Sequence, residues 1–133
     1  MTGFLLDTDA VLILAFWPER ASRRTRRLSS NGRRCVSSVS AFEMAVKRAI
    51  GKLTLPPAFV LSFQFGFEEM LRELSADLLA IELEHIDTLS RLPLIHRDPF
   101  DRLLISQALR EDLTIVSGDR VFAAYPGIRV LEI

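Results

Sequence analysis

Four short apolar runs in the sequence lead into acidic residues: Phe4-Leu5-Leu6 into Asp7, the run from Val36 to Val39 into Glu43, Leu94-Ile95 into Asp98 and Asp101, and Ile115-Val116 into Asp119. In open parallel α/β sheets, ligands gather outside the carboxyl ends of the strands. Acids as distant in sequence as Asp7 and Asp119 therefore have a place to meet. A donor set made only of carboxylates suits a hard divalent cation, Mg²⁺ or Mn²⁺, held partly through water. Calcium-loop spacing is absent, and neither His85 nor His96 has the paired spacing of a zinc site. His85 reads as a surface helix residue. His96 stands close enough to the acid pair to line a site, or is an ordinary loop histidine.

Each acid also has a structural reading. Asp7 and Asp9 flank Thr8 at a strand-to-helix turn where either caps a helix, and Ser40 with Glu43 has the spacing of a capping box. Asp98-Pro99 reads as an N-cap followed by proline in the first helical position, with Asp101 in the first turn. Asp119 is placed to cap the turn after Gly118. Capping, however, does not call for acids at the same end of several strands, and serine or threonine would cap without mutual repulsion. Clustered carboxylates raise one another's pKa unless a cation compensates them. Singly the acids read as caps, and jointly as a cation site.

The elements that must position them follow from the apolar pattern. We expect strands at residues 4–6, 35–39, 78–81, 114–116 and 128–131, with helices at 9–16, 19–30, 40–50, 83–90 and 99–111. Helix stops fall at Trp17-Pro18, at Asn31-Gly32 as a left-handed terminus, at Gly51 and before Pro93. In the middle region, 58–74, Phe59, Phe63, Phe67 and Leu71 recur every four residues as one apolar helical face. Gly66 suggests a break there between two short helices. The face is either core or a surface for a homodimer or a partner's helix. Alternating strands and helices predict an α/β fold with a mainly parallel sheet covered on both sides.

At 133 residues and 49% hydrophobic composition, residues 1–133 read as a single domain with one core. Asp7 and Asp9 interrupt the only long apolar candidate for a membrane span, and no basic segment precedes it as in a secretory signal. The lone Cys35 excludes an internal disulfide, fits a reducing cytosol and reads as a small buried residue. Net charge is zero, yet residues 1–52 carry ten Lys or Arg against four acids while residues 53–133 carry seven against thirteen. The basic excess lies in Arg20, Arg23, Arg24, Arg26, Arg27, Arg33 and Arg34, either a solvated face or a surface for phosphates or an acidic partner.

Four blocks carry a resemblance: Phe4-Leu5-Leu6-Asp7-Thr8, Val36-Ser37-Ser38-Val39-Ser40-Ala41-Phe42-Glu43-Met44-Ala45-Val46-Lys47, Gly51-Lys52-Leu53 and His96-Arg97-Asp98-Pro99-Phe100-Asp101-Arg102-Leu103-Leu104-Ile105. In order and over nearly the whole chain, they resemble a PIN domain of the VapC type, the toxins of bacterial toxin-antitoxin pairs. The resemblance implies a three-layer α/β/α sandwich and a Mg²⁺- or Mn²⁺-dependent ribonuclease of the cytoplasm. It places the family's catalytic and metal-binding acids on Asp7, Glu43, Asp101 and Asp119, with Asp98, Ser117 and Thr8 as accessories. Asp9 stands where many relatives have histidine, and Ser106 where alanine is common.

The chemistry so implied is a cation-activated water attacking phosphorus in line, without a covalent enzyme intermediate, leaving 3′-hydroxyl and 5′-phosphate ends. An acidic cleft repels RNA, so basic residues have to bring it in, and Arg23, Arg24, Arg27, Lys47, Arg97 and Arg102 are the candidates. The same residues suit the acidic tail of a cognate antitoxin, and the family implies a homodimer. Two rivals stand beside this reading. Asp7-Thr8-Asp9-Ala10-Val11 also resembles the first motif of haloacid-dehalogenase-type phosphatases, with Asp7 as nucleophile and Asp9 as general acid. The other is a catalytically silent PIN scaffold that binds RNA or a partner.

Overall fold

A computed structural model describes residues 3–133. Its strands are β1 (Gly3–Leu6), β2 (Arg33–Ser37), β3 (Ala76–Leu79), β4 (Thr114–Ser117) and β5 (Val130–Glu132). The helices are α1 (Thr8–Phe16), α2 (Arg23–Ser30), α3 (Ser38–Ala49), α4 (Ala58–Leu61), α5 (Phe63–Leu74), α6 (Leu83–Ser90) and α7 (Pro99–Glu111), with 3₁₀ turns at Pro18–Arg20 and Arg120–Ala124. All strand pairs are parallel, in the order β3-β2-β1-β4-β5. The chain builds outward from β1 through β2 to β3, then returns to the other side of β1 for β4 and β5. The reversal falls between β1 and β4, the place where such sheets leave a crevice at their carboxyl edge.

Alternation along the strands divides the core into two layers. Phe4, Leu6, Val36, Val116 and Leu131 pack with α1 and α5 on one face. Leu5, Cys35 and Ile115 pack with Leu104, Ile105 and Ala108 of α7 and with Phe122 and Tyr125 on the other. The α/β/α sandwich expected from the sequence is therefore present. Among the described residues no helix is long and apolar enough to cross a membrane.

Several boundaries differ from the sequence reading, each for a local reason. The second strand ends at Ser37 rather than Val39, because the Ser37 side chain accepts from the Val39 N–H and starts α3 at Ser38. Ser40 is then inside the helix and buried, not its cap. The expected 19–30 helix is divided, since the Ser22 hydroxyl caps α2 at Thr25 N. Asn31, at φ −88°, ends α2 in the right-handed region instead of the left-handed one. β3 begins and ends two residues earlier than expected, and β5 begins two residues later and ends one later.

The break in the middle region lies at extended Ser62, which caps α5, and not at Gly66. Gly66 sits within α5 because Phe59 of α4 lies against it, 2.5 Å from where a β-carbon would stand. Phe59 and Phe67 are buried and Phe63 packs on them, so the phenylalanine stripe is core. The exposed apolar side chains there are Val60, Leu61 and Phe65. His85, expected on the surface, is buried at 1% exposure, its Nδ1 accepting from Glu82 N–H at 2.9 Å.

Helix propensity alone would make Gly66→Ala stabilising by about 1 kcal/mol. The contact with Phe59 reverses that expectation, and overpacking should cost about 1–3 kcal/mol in denaturant unfolding. Equal or greater stability of the variant would refute this account of the glycine.

Candidate metal centre at the carboxyl edge

Asp7 follows β1 directly at the switch point and is 6% exposed. Its N–H donates to Val116 O of β4 at 3.1 Å, which fixes it in the crevice. Its Oδ1 accepts from Ala10 N–H at 2.8 Å and caps α1, so one cap expected from sequence is present. Oδ2 accepts from the Ser117 hydroxyl. Ser117 Oγ in turn accepts from Asp119 N–H at 2.9 Å, so a hydroxyl 110 residues along the chain from Asp7 joins that acid to the backbone of Asp119. Asp7, Asp9, Gly118 and Asp119 share one cleft with Ile13 and Ile133.

Thr8 makes the corresponding link to α3. Its hydroxyl donates to Glu43 Oε1 at 2.7 Å and stands 3.0 Å from Ser40 Oγ, whose hydroxyl can then donate to it. The other Glu43 oxygen pairs with Lys47 Nζ at 2.9 Å. Asp98 Oδ1 caps α7, accepting from Phe100 and Asp101 N–H, and this turns Asp101 inward. His96 Nε2 lies 2.8 Å from Asp101 Oδ2. Asp119 Oδ1 accepts from Val121 N–H and opens the 3₁₀ turn that follows it.

The electrostatics show that these acids sense one another. Burial pushes Asp7 from an ordinary 3.8 up to about 7; the Ser117 and Ala10 hydrogen bonds oppose this, and the charges of Asp9 and Asp101 add to it. Asp101 is raised too, first by burial, against the His96 bond and with help from Asp98 and Glu43. The structure thus brings Asp7, Glu43, Asp101 and Asp119 to one edge, with Thr8, Ser117 and Asp98 holding them. Carboxylate oxygens are the donors a divalent cation takes, but among the described residues no three of these four acids have oxygens all within 4.8 Å of one another. The compact group at this edge is a His96 ring nitrogen with one oxygen each from Asp98 and Asp101, all within 4.8 Å of one another.

A second group, Glu84, His85 and Glu111, is equally compact. It lies roughly 15 Å along α7 from Asp101, at 1.5 Å per residue. Because Nδ1 of His85 accepts a backbone N–H, its neutral ring carries the proton on Nε2, the atom 3.9 Å from Glu111 Oε2. A metal-binding imidazole needs the opposite arrangement.

The basic candidates divide. Arg102 is spent on the preceding loop, donating to Pro93 O at 2.9 Å and to the Tyr125 hydroxyl at 3.2 Å, and Lys47 is paired with Glu43. Arg23, Arg24, Arg27 and Arg97 are exposed. The start of α2 is tied to the end of β5 by Thr25 Oγ1 donating to Glu132 O at 2.7 Å, which brings Arg23 and Arg24 toward the acidic edge. Sequence reasoning missed Ser40, whose serine looked like a cap, and Tyr125, whose hydroxyl accepts from His96 N–H at 2.8 Å. It left His96 open, and only the turn before α7 puts its ring on Asp101.

The raised Asp7 pKa sets a pH dependence. The folded protein holds this proton more tightly than the unfolded chain, whose value is near 3.8. The contribution is therefore complete below about pH 4 and lost as pH rises through 7. In chelator, wild type should lose up to roughly 4 kcal/mol from this carboxyl between pH 4 and 8. Asp7→Asn should lack that part of the slope in pH-resolved urea unfolding, and a slope equal to wild type's would contradict the assignment.

The PIN domain family model matches residues 4–128. No curated protein matches the chain in sequence. The fold is similar to VapBC2 from Rickettsia felis bound to a DNA fragment from its promoter, with TM-score 0.72, 15% identity and 98% of both chains covered. It is also similar to DNA-bound VapBC from Salmonella typhimurium, with TM-score 0.67, 21% identity, and 99% of this chain and 98% of that one covered. A toxin-antitoxin complex from Klebsiella pneumoniae aligns at TM-score 0.60 and 16% identity over 97% and 98% of the two chains. With its family model spanning all but the ends of the sequence, this chain belongs to the PIN domain family, a family of nucleases.

Proposed function

We propose that the protein is a divalent-metal-dependent endoribonuclease and the toxin of a type II toxin-antitoxin pair. The observation that carries the reading is the Ser117 hydroxyl bridging Asp7 and Asp119 at the sheet's switch point, with Glu43 tied in through Thr8. Asp7, Glu43, Asp101 and Asp119 are the catalytic residues and would hold Mg²⁺, or Mn²⁺ in its place. When bound, the cation supplies Lewis-acid activation of a water and of the scissile phosphate. The chain's own residues prepare for it. Ser117, Thr8 and the Ala10 N–H orient carboxylate oxygens, Lys47 offsets the charge of Glu43, and Asp98 sets the entry of α7. Arg23, Arg24, Arg27 and Arg97 neutralise RNA phosphates at the rim.

The phosphatase alternative fits less well. Both Asp7 oxygens already accept hydrogen bonds, and the side chain is nearly covered. A nucleophile needs an unencumbered oxygen facing the phosphate, whereas a metal ligand shares a remaining lone pair and keeps its bonds. The partner reading rests on the similar structures, one a toxin-antitoxin complex and two of VapBC bound to DNA. Here the cognate antitoxin and a second copy of this chain have exposed apolar side chains to meet: Phe42, Val46 and Ile50 along α3, and Val60, Leu61 and Phe65 on α4 and α5. The setting is the cytoplasm, where RNA and a reduced Cys35 are both expected.

Purified protein should cleave RNA with Mg²⁺ or Mn²⁺, stop in EDTA, and lose activity by orders of magnitude in Asp7→Asn and in Asp101→Asn. Expression in a bacterial host should arrest growth for wild type only, with RNA ends mapped in the arrested cells. Full activity of either variant would sink the mechanism. Independently, replacing Arg23, Arg24 and Arg27 by alanine should weaken RNA binding and flatten its dependence on log salt concentration. An unchanged slope would remove these arginines from the RNA path.

A further inference from the structure

We infer that the cleft on the far side of Asp119 is a nucleobase pocket that selects an unpaired guanine beside the scissile phosphate. The inference rests on the nuclease reading above and adds a specificity site to it. The Ser117-Gly118-Asp119 turn is a wall between two clefts. On one side it closes the carboxylate cleft with Asp7. On the other it joins Arg120, Ala123, Val130 and Glu132 around a cavity of about 290 Å³. That is the lower end of the range for ligand pockets, room for one base rather than for a larger ligand.

The lining has the parts that base recognition needs. Ala123 and Val130 give an apolar surface for a ring face. Val130 and Glu132, two apart on β5, project to the same side of the sheet. Among the described residues the main-chain carbonyl of Glu132 accepts from Thr25, while its carboxylate and the Arg120 guanidinium have no hydrogen-bond or ion-pair partner. The carboxylate is an acceptor only, and at the mouth of an RNA pocket it repels phosphate unless donors from the base engage it. Guanine presents N1–H and the N2 amino group side by side, one donor for each carboxylate oxygen. Cytosine and adenine offer one amino group next to an acceptor, and uracil offers one N–H between two carbonyls. The planar Arg120 guanidinium adds a stacking surface and a positive charge. Unstacked loop bases are the ones able to enter. Since Asp119 is the shared wall, the base seated there belongs to a nucleotide adjoining the phosphate that faces Asp7 and Asp119.

The test compares four hairpin RNAs that differ only in the loop base next to the cleavage position, with kcat and KM measured for the full chain in Mg²⁺. Binding of GMP, AMP, CMP and UMP to the same protein in EDTA provides an arm that does not depend on cleavage. Wild type should prefer G by about tenfold or more, expressed in KM, as for a bidentate base contact, and GMP should bind best. Glu132→Gln should lose that preference while still cleaving, and Val130→Trp should raise KM for every loop. Equal use of the four loops by wild type, or a G preference that survives Glu132→Gln, overturns the pocket and leaves the nuclease reading standing. Absence of cleavage together with GMP binding that depends on Glu132 does the reverse, supporting the pocket and overturning the nuclease reading.

Discussion

The Asp7 carboxylate is nearly covered by protein at the one point where the order of the strands reverses, and much of the carboxyl edge is arranged around that fact. Burial favours its neutral form, and the neighbouring acids push in the same direction. Against this stand two short-range donors, the Ala10 N–H and the Ser117 hydroxyl. The first makes Asp7 the cap of α1 and so fixes the exit of the chain from β1. The second ties β1 to β4 beyond the last ladder bond and orders the Asp119 turn. One side chain is thus strand terminus, helix cap and centre of the site. A serviceable cap alone would not need an acid buried so deeply, since serine satisfies the same N–H at lower cost.

The other acids are likewise held by local donors, on both oxygens of Glu43 and on one oxygen of Asp101 and of Asp119. Glu43 has Thr8 and Lys47, Asp101 has His96, and Asp119 has the Val121 N–H. At Asp101 the His96 bond does not outweigh burial, the larger influence, and the smaller repulsion from Asp98 and Glu43, so its pKa stays raised. The loop that carries His96 is itself clamped. Arg102 donates to its carbonyls and to Tyr125, whose hydroxyl accepts from the His96 N–H. Charge placed at Arg102 is therefore used inside the protein. Arg34 is likewise turned inward, to Ser29 and to the Leu74 carbonyl, with its pKa lowered by burial. The basic surface is smaller and more directed than the count of arginines suggests.

What the sequence made legible were features with a short range. The apolar runs before Asp7 and Asp119 located β1 and β4, and Asp98-Pro99 located the start of α7 to the residue, whereas Leu94-Ile95 before Asp98 lies outside any strand. The features it concealed depend on a partner far away in the chain. The run Val36 to Val39 looks like one strand until Ser37 is seen to cap the following helix. Gly66 looks like a breaker because the reason for it, Phe59 seated on the helix, is a packing contact. His85 looks like a surface histidine because its burial depends on α7 packing against α6. Tyr125 carries no motif, and its role exists only because the 3₁₀ turn after β4 comes back under the loop before α7.

Fold likeness at 15–21% identity across nearly whole chains shows that this arrangement of strands tolerates wide change in sequence. A fold alone does not choose a chemistry, so the weight rests on what occupies the switch point. The uneven charge of the chain is part of that answer. Its basic excess lies in residues 1–52 and its acidic excess in residues 53–133. Folding does not keep the two apart: Thr25 on basic α2 bonds to Glu132 at the end of β5, next to the strand that delivers Asp119. The first turn of α2, with Arg23 and Arg24 exposed on it, is thereby held beside the carboxyl end of β5. A polyanion meets attraction at the rim before repulsion at the centre, where only a cation makes its approach favourable. That ordering suits a nucleic acid drawn in by its backbone and engaged at a single phosphate, and gives a small phosphomonoester far less to hold on to.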